Sequence, residues 1–519
     1  MTQAGVAVNR SFRTEVSLDW VLTGLLALAI LFAVGVLCLG LFQPLLDLYD
    51  ARQTQTAVTA YWLMRGGPIF AYETPIVGFP WSIPFEFPLY QFIVAVVSKA
   101  GIPLAAAGRI VSFVFFVGCL WPLRVLFRAL KFDNFAFACV SILFVLCPLY
   151  LFWSRTFMIE TCALFFCLCW LAYFARYLAG GTLASAALAL IAGALAAVAK
   201  FTTFPGFAVL GGLLLLKECH AAWAAGLLAK RLRSILLALL ILAVPLLIAV
   251  AWTIYAEAVG RANEIRAWLT NTYLTEWAFG IWEQRIGSRL WRDVILHRSL
   301  TQSFGYAKPI AVVLIAATLL RRQYAYAGLA AILAFLVPFM AFPNLHFQHE
   351  YYQAANTIFI LAAAGLGFAS IIGTGRRALG LVFLLLISAG QLDYFKSTYA
   401  GLLTADFTAR PDFRIAEMAR AQTPPGSSLL VIGRDWSATV GYYAQRKSLS
   451  VANFMPFEYW QRVAAQPQKF LGPVPLAAVV VCTDYAPKDE RKNLIEQLVG
   501  GHRVLGETGD CTLYAAEKG

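Results

Sequence analysis

The stretch DLYDARQTQTA, residues 47–57, gathers two acids, an arginine and two glutamines directly after the first apolar run of the chain. If a helix begins near residue 50, Asp50 and Gln53 share one of its faces, because residues three apart are neighbours on a helix. A carboxylate placed there could act as a general base, and Arg52 could bind an anionic group. The alternative is that Asp50 does no more than cap the helix that follows.

Three more charged sites interrupt otherwise apolar sequence. Glu86 lies between two prolines in PWSIPFEFPLYQF, Arg155 and Glu160 bracket the turn SRTFMIE, and Lys200 ends an uncharged stretch. A carboxylate packed among aromatic side chains is partly desolvated and needs a partner. A lysine at the end of an apolar span indicates either an anionic ligand or a side chain that extends to the membrane interface.

The segment HFQHEYYQA adds His346, His349, Glu350, Tyr351 and Tyr352. Two histidines three residues apart with a neighbouring acid could ligate a metal. An isolated histidine pair is a weak metal signal, so a hydrogen-bonding cluster around a phosphate or a sugar is the better interpretation. No metal site is predicted, a divalent metal is not indicated, and no other cofactor is assigned.

The composition places these sites in a membrane protein. The chain has 519 residues, of which 60% are hydrophobic and 13% charged, and its mean hydropathy of +0.70 lies outside the range of soluble domains. The net charge of +13 comes mainly from short loops between apolar runs, so membrane topology accounts for it and nucleic acid is not a predicted partner. Residues 20–42 are long enough to span a bilayer and no cleavage site follows, so we expect a retained first helix.

Apolar runs predict about eleven transmembrane helices. The runs lie near residues 20–42, 106–127, 134–153, 158–178, 182–199, 202–216, 234–256, 308–320, 324–342, 354–373 and 378–398. The basic residues of the short loops fall on one side if the N-terminus is cytoplasmic. The opposite side then receives loops 43–105 and 257–307, every charged site described above, and the C-terminal tail.

The tail, residues 399–519, alternates helical and strand-like patterns and predicts a small α/β domain outside the membrane. It has no glycine-rich phosphate-binding loop, so no chemistry is assigned to it. Cys482 and Cys511 both lie in strand-like runs. They either form a disulfide in an oxidising compartment or remain two buried thiols. The predicted fold class is an α-helical polytopic membrane domain, residues 1–398, followed by this α/β domain.

The order of these motifs resembles the GT-C glycosyltransferases. The similarity rests on four motifs: an acidic motif after the first helix, a PLY segment beside prolines, an arginine-to-acid turn and a lysine near a later outer turn. Within these glycosyltransferases, the motifs resemble those of the relatives of protein O-mannosyltransferase and of the aminoarabinose transferase that modifies lipid A. These relatives include bacterial lipopolysaccharide-core transferases. The resemblance covers roughly residues 15–400. It implies transfer of a sugar from a polyprenyl-phosphate carrier to a cell-envelope acceptor on the periplasmic side of the bacterial inner membrane. That acceptor is a lipopolysaccharide, another glycan, a lipid or a protein.

The resemblance also implies roles for individual residues. Asp50 matches the catalytic aspartate of the first loop, Glu160 a second acidic position, and Lys200 a lysine that binds the carrier phosphate. The segment 349–352 falls in an outer loop that relatives use near the donor phosphate.

The chemistry of transfer requires these residue types. Negative charge grows on the phosphate leaving group and must be neutralised by cations or hydrogen-bond donors. Arg155 and Lys200 are the candidates, with Arg52 or His349 as alternatives. Arg52 and Gln53 are predicted ligand contacts, and Glu86 or Glu160 could bind sugar hydroxyls or orient Arg155. Asp50, rather than Asp47, is predicted to be the base that activates the acceptor. One carboxylate suffices for an inverting single displacement, whereas a double displacement would require a carboxylate nucleophile close to the anomeric carbon. The resemblance implies inversion.

Two other functions compete with this interpretation. A transporter or flippase of lipid-linked glycans predicts ionisable residues at mid-membrane depth and broken helices in paired halves. A receptor whose outer domain binds a ligand leaves the acids of four separate outer turns unexplained. The predicted spans are almost free of charge in their middle, so the transferase is favoured.

Overall fold

The computed structural model describes residues 3–270, 275–482 and 489–518, and its main body is a bundle of apolar helices. Within the described residues, eight helices are long and apolar enough to cross a membrane. They comprise Leu18–Leu39, Leu104–Ala129, Glu160–Leu178, Phe201–Ala224, Leu228–Gly260, Arg289–Leu320, Arg322–Ala341 and Arg377–Thr398. The first of them continues a helix that begins at Gln3.

Each of the eleven predicted spans corresponds to an apolar helix, and three of these helices are shorter than expected. The short ones are Asn134–Leu146, Leu183–Ala199 and Thr357–Gly373. The predicted span 134–153 is interrupted because Pro148 starts a second helix, Pro148–Trp153, and the residue before a proline avoids helical backbone. The predicted fold class is confirmed.

The first outer loop contains two helices, Asp50–Met64 and Leu89–Ser98, joined by extended chain. The second predicted loop, 257–307, is mostly helical. Its helices are Glu264–Leu269, Thr275–Phe279, Trp282–Ile286, the π-helical Arg289–Ser299 and Leu300–Phe304. The last two continue into the membrane-length segment that ends at Leu320, so this loop ends earlier than the sequence predicted.

Short helices and 3₁₀ turns connect the remaining segments. They are Phe201–Thr203, Gly305–Ala307, Thr318–Leu320, Pro343–Gln348, Glu350–Ala355 and Ala400–Leu403. Three of the membrane-length segments contain helices with their own bounds, namely Leu104–Gly118, Leu120–Ala129, Phe204–Ala224 and Lys308–Ala317.

The C-terminal domain is built on a five-stranded sheet. Its strands are β1 Ser428–Ile432, β2 Lys447–Val451, β3 Leu476–Cys482, β4 His502–Thr508 and β5 Cys511–Lys518, in the order β2-β1-β3-β5-β4. β1 is parallel to β2 and β3, whereas β5 is antiparallel to β3 and β4.

Helices cover both faces of this sheet, as the alternation of helical and strand-like patterns predicted. Pro411–Gln422 and Thr439–Ala444 pack on one face, and Phe457–Ala465 and Asp489–Val499 pack on the other. Helix Pro467–Leu471 precedes β3.

A disulfide joins Cys482 at the end of β3 to Cys511 at the start of β5, where the two residues are paired across the strands. The cysteines are 29 residues apart, so in the chain-entropy account the bond stabilises the domain by about 3–4 kcal/mol. We expect the Cys482→Ser/Cys511→Ser variant to unfold at a lower temperature, measured by intrinsic fluorescence in detergent. Cys219→Ser is the control, and equal melting temperatures for all three proteins would contradict the prediction.

The C-terminal domain packs directly on the first outer loop. The Tyr443 hydroxyl accepts a hydrogen bond from the backbone N–H of Leu45 at 2.6 Å, and Lys447 forms an ion pair with Glu73 at 2.7 Å. β2 also makes an isolated antiparallel bridge between Leu449 and this loop. The start of helix Asp50–Met64 is therefore held between the bundle and the sheet domain.

Candidate active site

The first charged pair of the site joins two parts of the first outer loop. Arg52, in the first turn of helix Asp50–Met64, donates from Nη2 to Glu86 Oε1 at 2.7 Å. The two side chains are 20% and 24% exposed, so the pair is open to a ligand on one side. Burial alone would raise the pKa of Glu86, but the charges of Arg52 and Lys200 hold it below its ordinary value.

The second charged pair lies deeper and joins the ends of two membrane helices. Lys200 follows helix Leu183–Ala199, and its Nζ contacts Oε1 of Glu160, the first residue of helix Glu160–Leu178. Both side chains are 4% exposed. Lys200 Nζ also lies 4.1 Å from the ring centroid of Tyr352, a favourable position for a cation.

Aromatic rings from the HFQHEYYQA segment line the space beside these pairs. His349 stacks on Tyr351 with centroids 5.2 Å apart, and Tyr351 stacks on Tyr352 at 4.9 Å. Tyr49, just before the Asp50 helix, packs edge-on against His349 at 5.4 Å. The 349–352 segment thus contacts the first loop through His349 and Tyr49.

Both histidines are neutral at physiological pH. Burial lowers the pKa of His349 to about 4, and the charges of Arg52 and Lys200 contribute. Burial likewise lowers the pKa of His346 to about 3. Burial and the neighbouring cations thus favour neutral imidazoles, which can offer an N–H or an N atom to a ligand.

The two ion pairs and His349 face a common site. The positive charge of Lys200 lowers the pKa of Glu86, and the charges of Arg52 and Lys200 both lower the pKa of His349. The structure thus pairs Arg52 with Glu86, 34 positions away in the sequence, and Lys200 with Glu160, 40 positions away. The arrangement places two cations and two carboxylates beside tyrosine and histidine rings.

Several buried polar atoms around this site have no hydrogen-bond partner among the described residues. They are Glu160 Oε2, His346 Nδ1, His349 Nδ1, Thr202 Oγ1 and both amide atoms of Gln353. Gln353 is fully buried. Buried polar groups are normally paired, so these atoms are available to a polar ligand. Gln353 stands inside the HFQHEYYQA segment and Thr202 lies two residues after Lys200, but nothing in the sequence distinguished either from its neighbours.

Asp50 lies at the edge of this site, and its carboxylate is turned the other way. Asp50 and Arg52 are two residues apart, so they project about 200° apart around the helix. Asp50 Oδ2 accepts from Arg410 Nη2 of the C-terminal segment at 2.6 Å. Burial raises the pKa of Asp50 above its ordinary value, against the opposing charge of Arg410. Asp50 follows an N-cap position filled by Tyr49, and no side chain caps this helix.

Gln53 and Arg155 lie between the first loop and the 154–160 turn, and Arg155 Nε and Nη1 are buried without a hydrogen-bond partner among the described residues. Both are fully buried. Gln53 Oε1 accepts from the backbone N–H of Phe157 at 3.1 Å, and its Nε2 donates to Asp47. Arg155 forms an ion pair with Asp47 at 3.1 Å. These contacts join the 154–160 turn to the first loop, and they are those of positioning residues. The burial of Asp47 in the same network also separates it from any acceptor.

Glu350 turns away from the two histidines. Its Oε2 accepts from Gln302 Nε2 at 2.6 Å, and Gln302 also donates to the Tyr399 hydroxyl at 3.2 Å. Burial raises the pKa of Glu350. In the part of the chain that the structure describes, no group of three or more His, Cys, Asp or Glu side chains could hold a metal ion.

Comparison with known proteins decides the fold. No protein-family model matches the chain, and no curated protein sequence matches it. Among solved structures, ArnT from Cupriavidus metallidurans bound to undecaprenyl phosphate superimposes with a TM-score of 0.65 over 95% of this chain and 98% of that chain, at 14% identity. The chain has the GT-C fold. The resemblance predicted from the motif order is confirmed at the level of the fold.

Two other GT-C structures are similar over most of this chain. The oligosaccharyltransferase of Archaeoglobus fulgidus gives a TM-score of 0.56 at 14% identity, over 96% of this chain and 74% of that one. The mycobacterial arabinofuranosyltransferase AftD gives 0.52 at 13% identity, over 95% of this chain and 40% of that one. This chain therefore corresponds to less than half of AftD and to nearly all of ArnT.

Proposed function

We propose that the protein is an integral membrane glycosyltransferase that moves a sugar from a polyprenyl-phosphate donor to an acceptor of the bacterial cell envelope. The observation that carries the proposal is the pairing of Lys200 with Glu160 at the ends of two membrane helices, next to the pair of Arg52 and Glu86 in the first outer loop of a GT-C fold. The solved ArnT structure with undecaprenyl phosphate supports a donor of this class.

The cations of the site suit a phosphate leaving group. As the bond from the sugar to the phosphate breaks, negative charge develops on the phosphate oxygens, and fixed positive charges stabilise it. Lys200 is nearly buried, where its interaction with an anion is stronger than in water. The proposal assigns phosphate binding to Lys200 and Arg52, with His349 and Tyr352 as further contacts.

Asp50 is the proposed base. Glu86 is held in its ionised form by Arg52 and Lys200, which makes it a poor proton acceptor. Asp50 has a raised pKa and is 26% exposed. Its carboxylate projects from the helix face opposite Arg52, so the proposal requires the acceptor to approach from the Arg410 side, with the phosphate leaving group beside Arg52 and Lys200. Removal of a proton from the acceptor by Asp50 would allow a single displacement with inversion at the anomeric carbon.

An open groove beside the site suits the apolar tail of such a donor. It has a volume of about 560 Å³ and is lined by Trp282, Arg285, Ile286, Trp291 and Met340. Two of the lining residues, Trp282 and Ile286, are 66% and 65% exposed. Large exposed apolar side chains in a membrane protein are suited to contact with lipid.

The groove adjoins the candidate site through helix Pro343–Gln348. Asn344 Nδ2 donates to the backbone carbonyl of Trp277 at 2.9 Å, and the Trp277 ring lies 5.9 Å from that of His349. Gln284, between the groove-lining Trp282 and Arg285, donates from Nε2 to Asn344 Oδ1 at 3.1 Å, which links the groove to the His349 end of the site.

The proposal places the site on the periplasmic side of the bacterial inner membrane, with the N-terminus in the cytoplasm. The distribution of basic residues supports this orientation. The disulfide between Cys482 and Cys511 is typical of an oxidising compartment. Residues 1–398 form the proposed catalytic domain, and residues 399–519 form the proposed periplasmic domain. The acceptor is a lipopolysaccharide, another glycan, a lipid or a protein.

Purified protein in lipid nanodiscs would test this function directly. A panel of radiolabelled undecaprenyl-phosphate sugars is incubated with cell-envelope extract, and nucleotide sugars serve as the control donors. We expect label to become covalently attached to an envelope component from a lipid-linked donor only. Transfer from nucleotide sugars alone, or movement of the lipid-linked sugar across sealed liposomes without covalent transfer, would contradict the proposal.

A further inference from the structure

Arg410 is the contact between the C-terminal domain and the Asp50 carboxylate. Its Nη2 lies 2.6 Å from Asp50 Oδ2 and 2.6 Å from Asp412 Oδ2, and its Nε donates to Asp412 Oδ1 at 3.1 Å. Its Nη1 donates to the backbone carbonyl of Leu46 at 3.0 Å. The guanidinium therefore bridges two acids and the backbone just before the Asp50 helix.

The position of Arg410 is fixed from its own side. Arg410 precedes Pro411, the first residue of helix Pro411–Gln422, so it occupies a defined helix start. Asp412, in the first turn of that helix, is 4% exposed and accepts hydrogen bonds from the guanidinium with both of its oxygens. Two-oxygen contacts of this kind fix the plane of an arginine as well as its distance.

The linker before Arg410 is attached to the start of the first loop. Gln43 Nε2 donates to the backbone carbonyls of Leu403 at 2.7 Å and Ala405 at 3.1 Å. The segment from Leu403 to Arg410 is therefore anchored to the first loop at both ends, by Gln43 at its start and by Asp50 at its end. Arg410 reaches Asp50 although the two residues are 360 positions apart.

The Asp50 carboxylate is correspondingly restrained. Its Oδ1 accepts from the backbone N–H of Ala51 at 2.8 Å, while Oδ2 accepts from Arg410. One turn further along the helix, Thr54 Oγ1 lies 3.3 Å from Thr439 Oγ1 of the C-terminal domain. Arg410 and Asp412 are the charged groups whose fields act on Asp50, the first lowering its pKa and the second raising it.

We propose that Arg410 is a positioning residue that orients the Asp50 carboxylate for proton transfer, so that the C-terminal domain completes the active site. The inference rests on the proposed function and deepens it. It gives the C-terminal domain a role that its sequence did not reveal, namely to place one cation against the base. Arg410 is 37% exposed and touches no residue of the phosphate-binding pairs in these contacts, so its effect passes through Asp50.

The test compares Arg410→Gln and Arg410→Lys with Arg414→Gln, a control one turn along the same helix. In Arg410→Gln we expect kcat to fall about 10- to 100-fold with little change in donor KM, because small misplacements of a catalytic group cost rates of this size. The acid limb of the rate–pH profile should move to higher pH, because loss of the positive charge raises the pKa of Asp50 further. Arg410→Lys should keep the limb near its wild-type position, and Arg414→Gln should resemble wild type.

Two further measurements separate positioning from simple stability. In an Asp50→Asn background, Arg410→Gln should cause no additional loss of rate. The reactivity of Asp50 toward a water-soluble carbodiimide, followed by mass spectrometry against pH, reports its protonation without any turnover. The modification declines as pH rises and Asp50 loses its proton. This decline should occur at lower pH in wild type than in Arg410→Gln.

The outcomes distinguish this inference from the proposed function. If Arg410→Gln only lowers the melting temperature, with unchanged pH profile and carbodiimide titration, Arg410 is a structural contact and the inference is wrong. If wild-type protein transfers no sugar but the carbodiimide titration shifts as expected, the positioning of Asp50 by Arg410 holds and the proposed function fails.

Discussion

Asp50→Asn is expected to lower the rate of sugar transfer by about 10²- to 10⁴-fold, the usual contribution of a general base. The amide keeps the size and most of the hydrogen bonds of the carboxylate, including acceptance from Arg410, so the fold should persist. Lys200 and Arg52 are unchanged, so donor binding should be nearly unaltered. The measurement is the initial rate of label transfer in nanodiscs, with donor KM determined in parallel.

The matched control is Asp406→Asn, an exposed aspartate in the linker before the C-terminal domain. It should retain the wild-type rate, because among the described residues its carboxylate accepts from Thr408 alone. If Asp50→Asn keeps the full rate in folded protein, Asp50 is not the base. Glu86→Gln and Glu160→Gln would then show which of the remaining carboxylates accepts the proton.

The same assignment predicts the pH dependence of transfer. A base works in its deprotonated form, so the rate falls as pH decreases through its pKa. Burial places the pKa of Asp50 above its ordinary value of 3.8. The acid limb of kcat/KM should therefore lie at higher pH than an ordinary aspartate would give, and Asp50→Asn should abolish it. A limb that persists in this variant would belong to another group.

The sequence predicted which segments carry charge but not which charges meet. Lys200 and Glu160 stand out because charged residues are rare beside apolar spans of this length. Their pairing is a contact over 40 positions, and that between Asp50 and Arg410 spans 360. Such contacts depend on how helices pack against each other, and no local spacing specifies them.

Burial was the other property that local patterns did not supply. Arg155 and Lys200 occupy similar outer turns in the sequence, and both were predicted to bind phosphate. The structure pairs Arg155 with Asp47 inside the protein, where both side chains are fully buried. Lys200 instead pairs with Glu160, and its Nζ lies over the Tyr352 ring, 4.1 Å from the centroid. The spans and the alternating strands could be predicted because they follow from periodicity and length alone.

The pair of Lys200 and Glu160 yields the second large effect. Lys200→Met removes a cation and leaves the Glu160 carboxylate, 4% exposed, without its partner. Removing one member of a buried ion pair costs about 3–5 kcal/mol. We therefore expect a clear fall in melting temperature together with loss of transfer. An exposed lysine in a membrane helix, Lys217, provides the control variant Lys217→Met, which should change neither quantity.

The double variant Glu160→Gln/Lys200→Met separates stability from function. A neutral amide opposite methionine carries no unpaired charge, so most of the lost stability should return. Transfer should remain at least 10-fold below wild type with a raised donor KM, because no cation is left at this position to neutralise the phosphate. Recovery of both melting temperature and transfer would show that the pair serves the fold alone. Recovery of stability without transfer, with a raised donor KM, would assign the pair a role in donor binding in addition to its role in the fold.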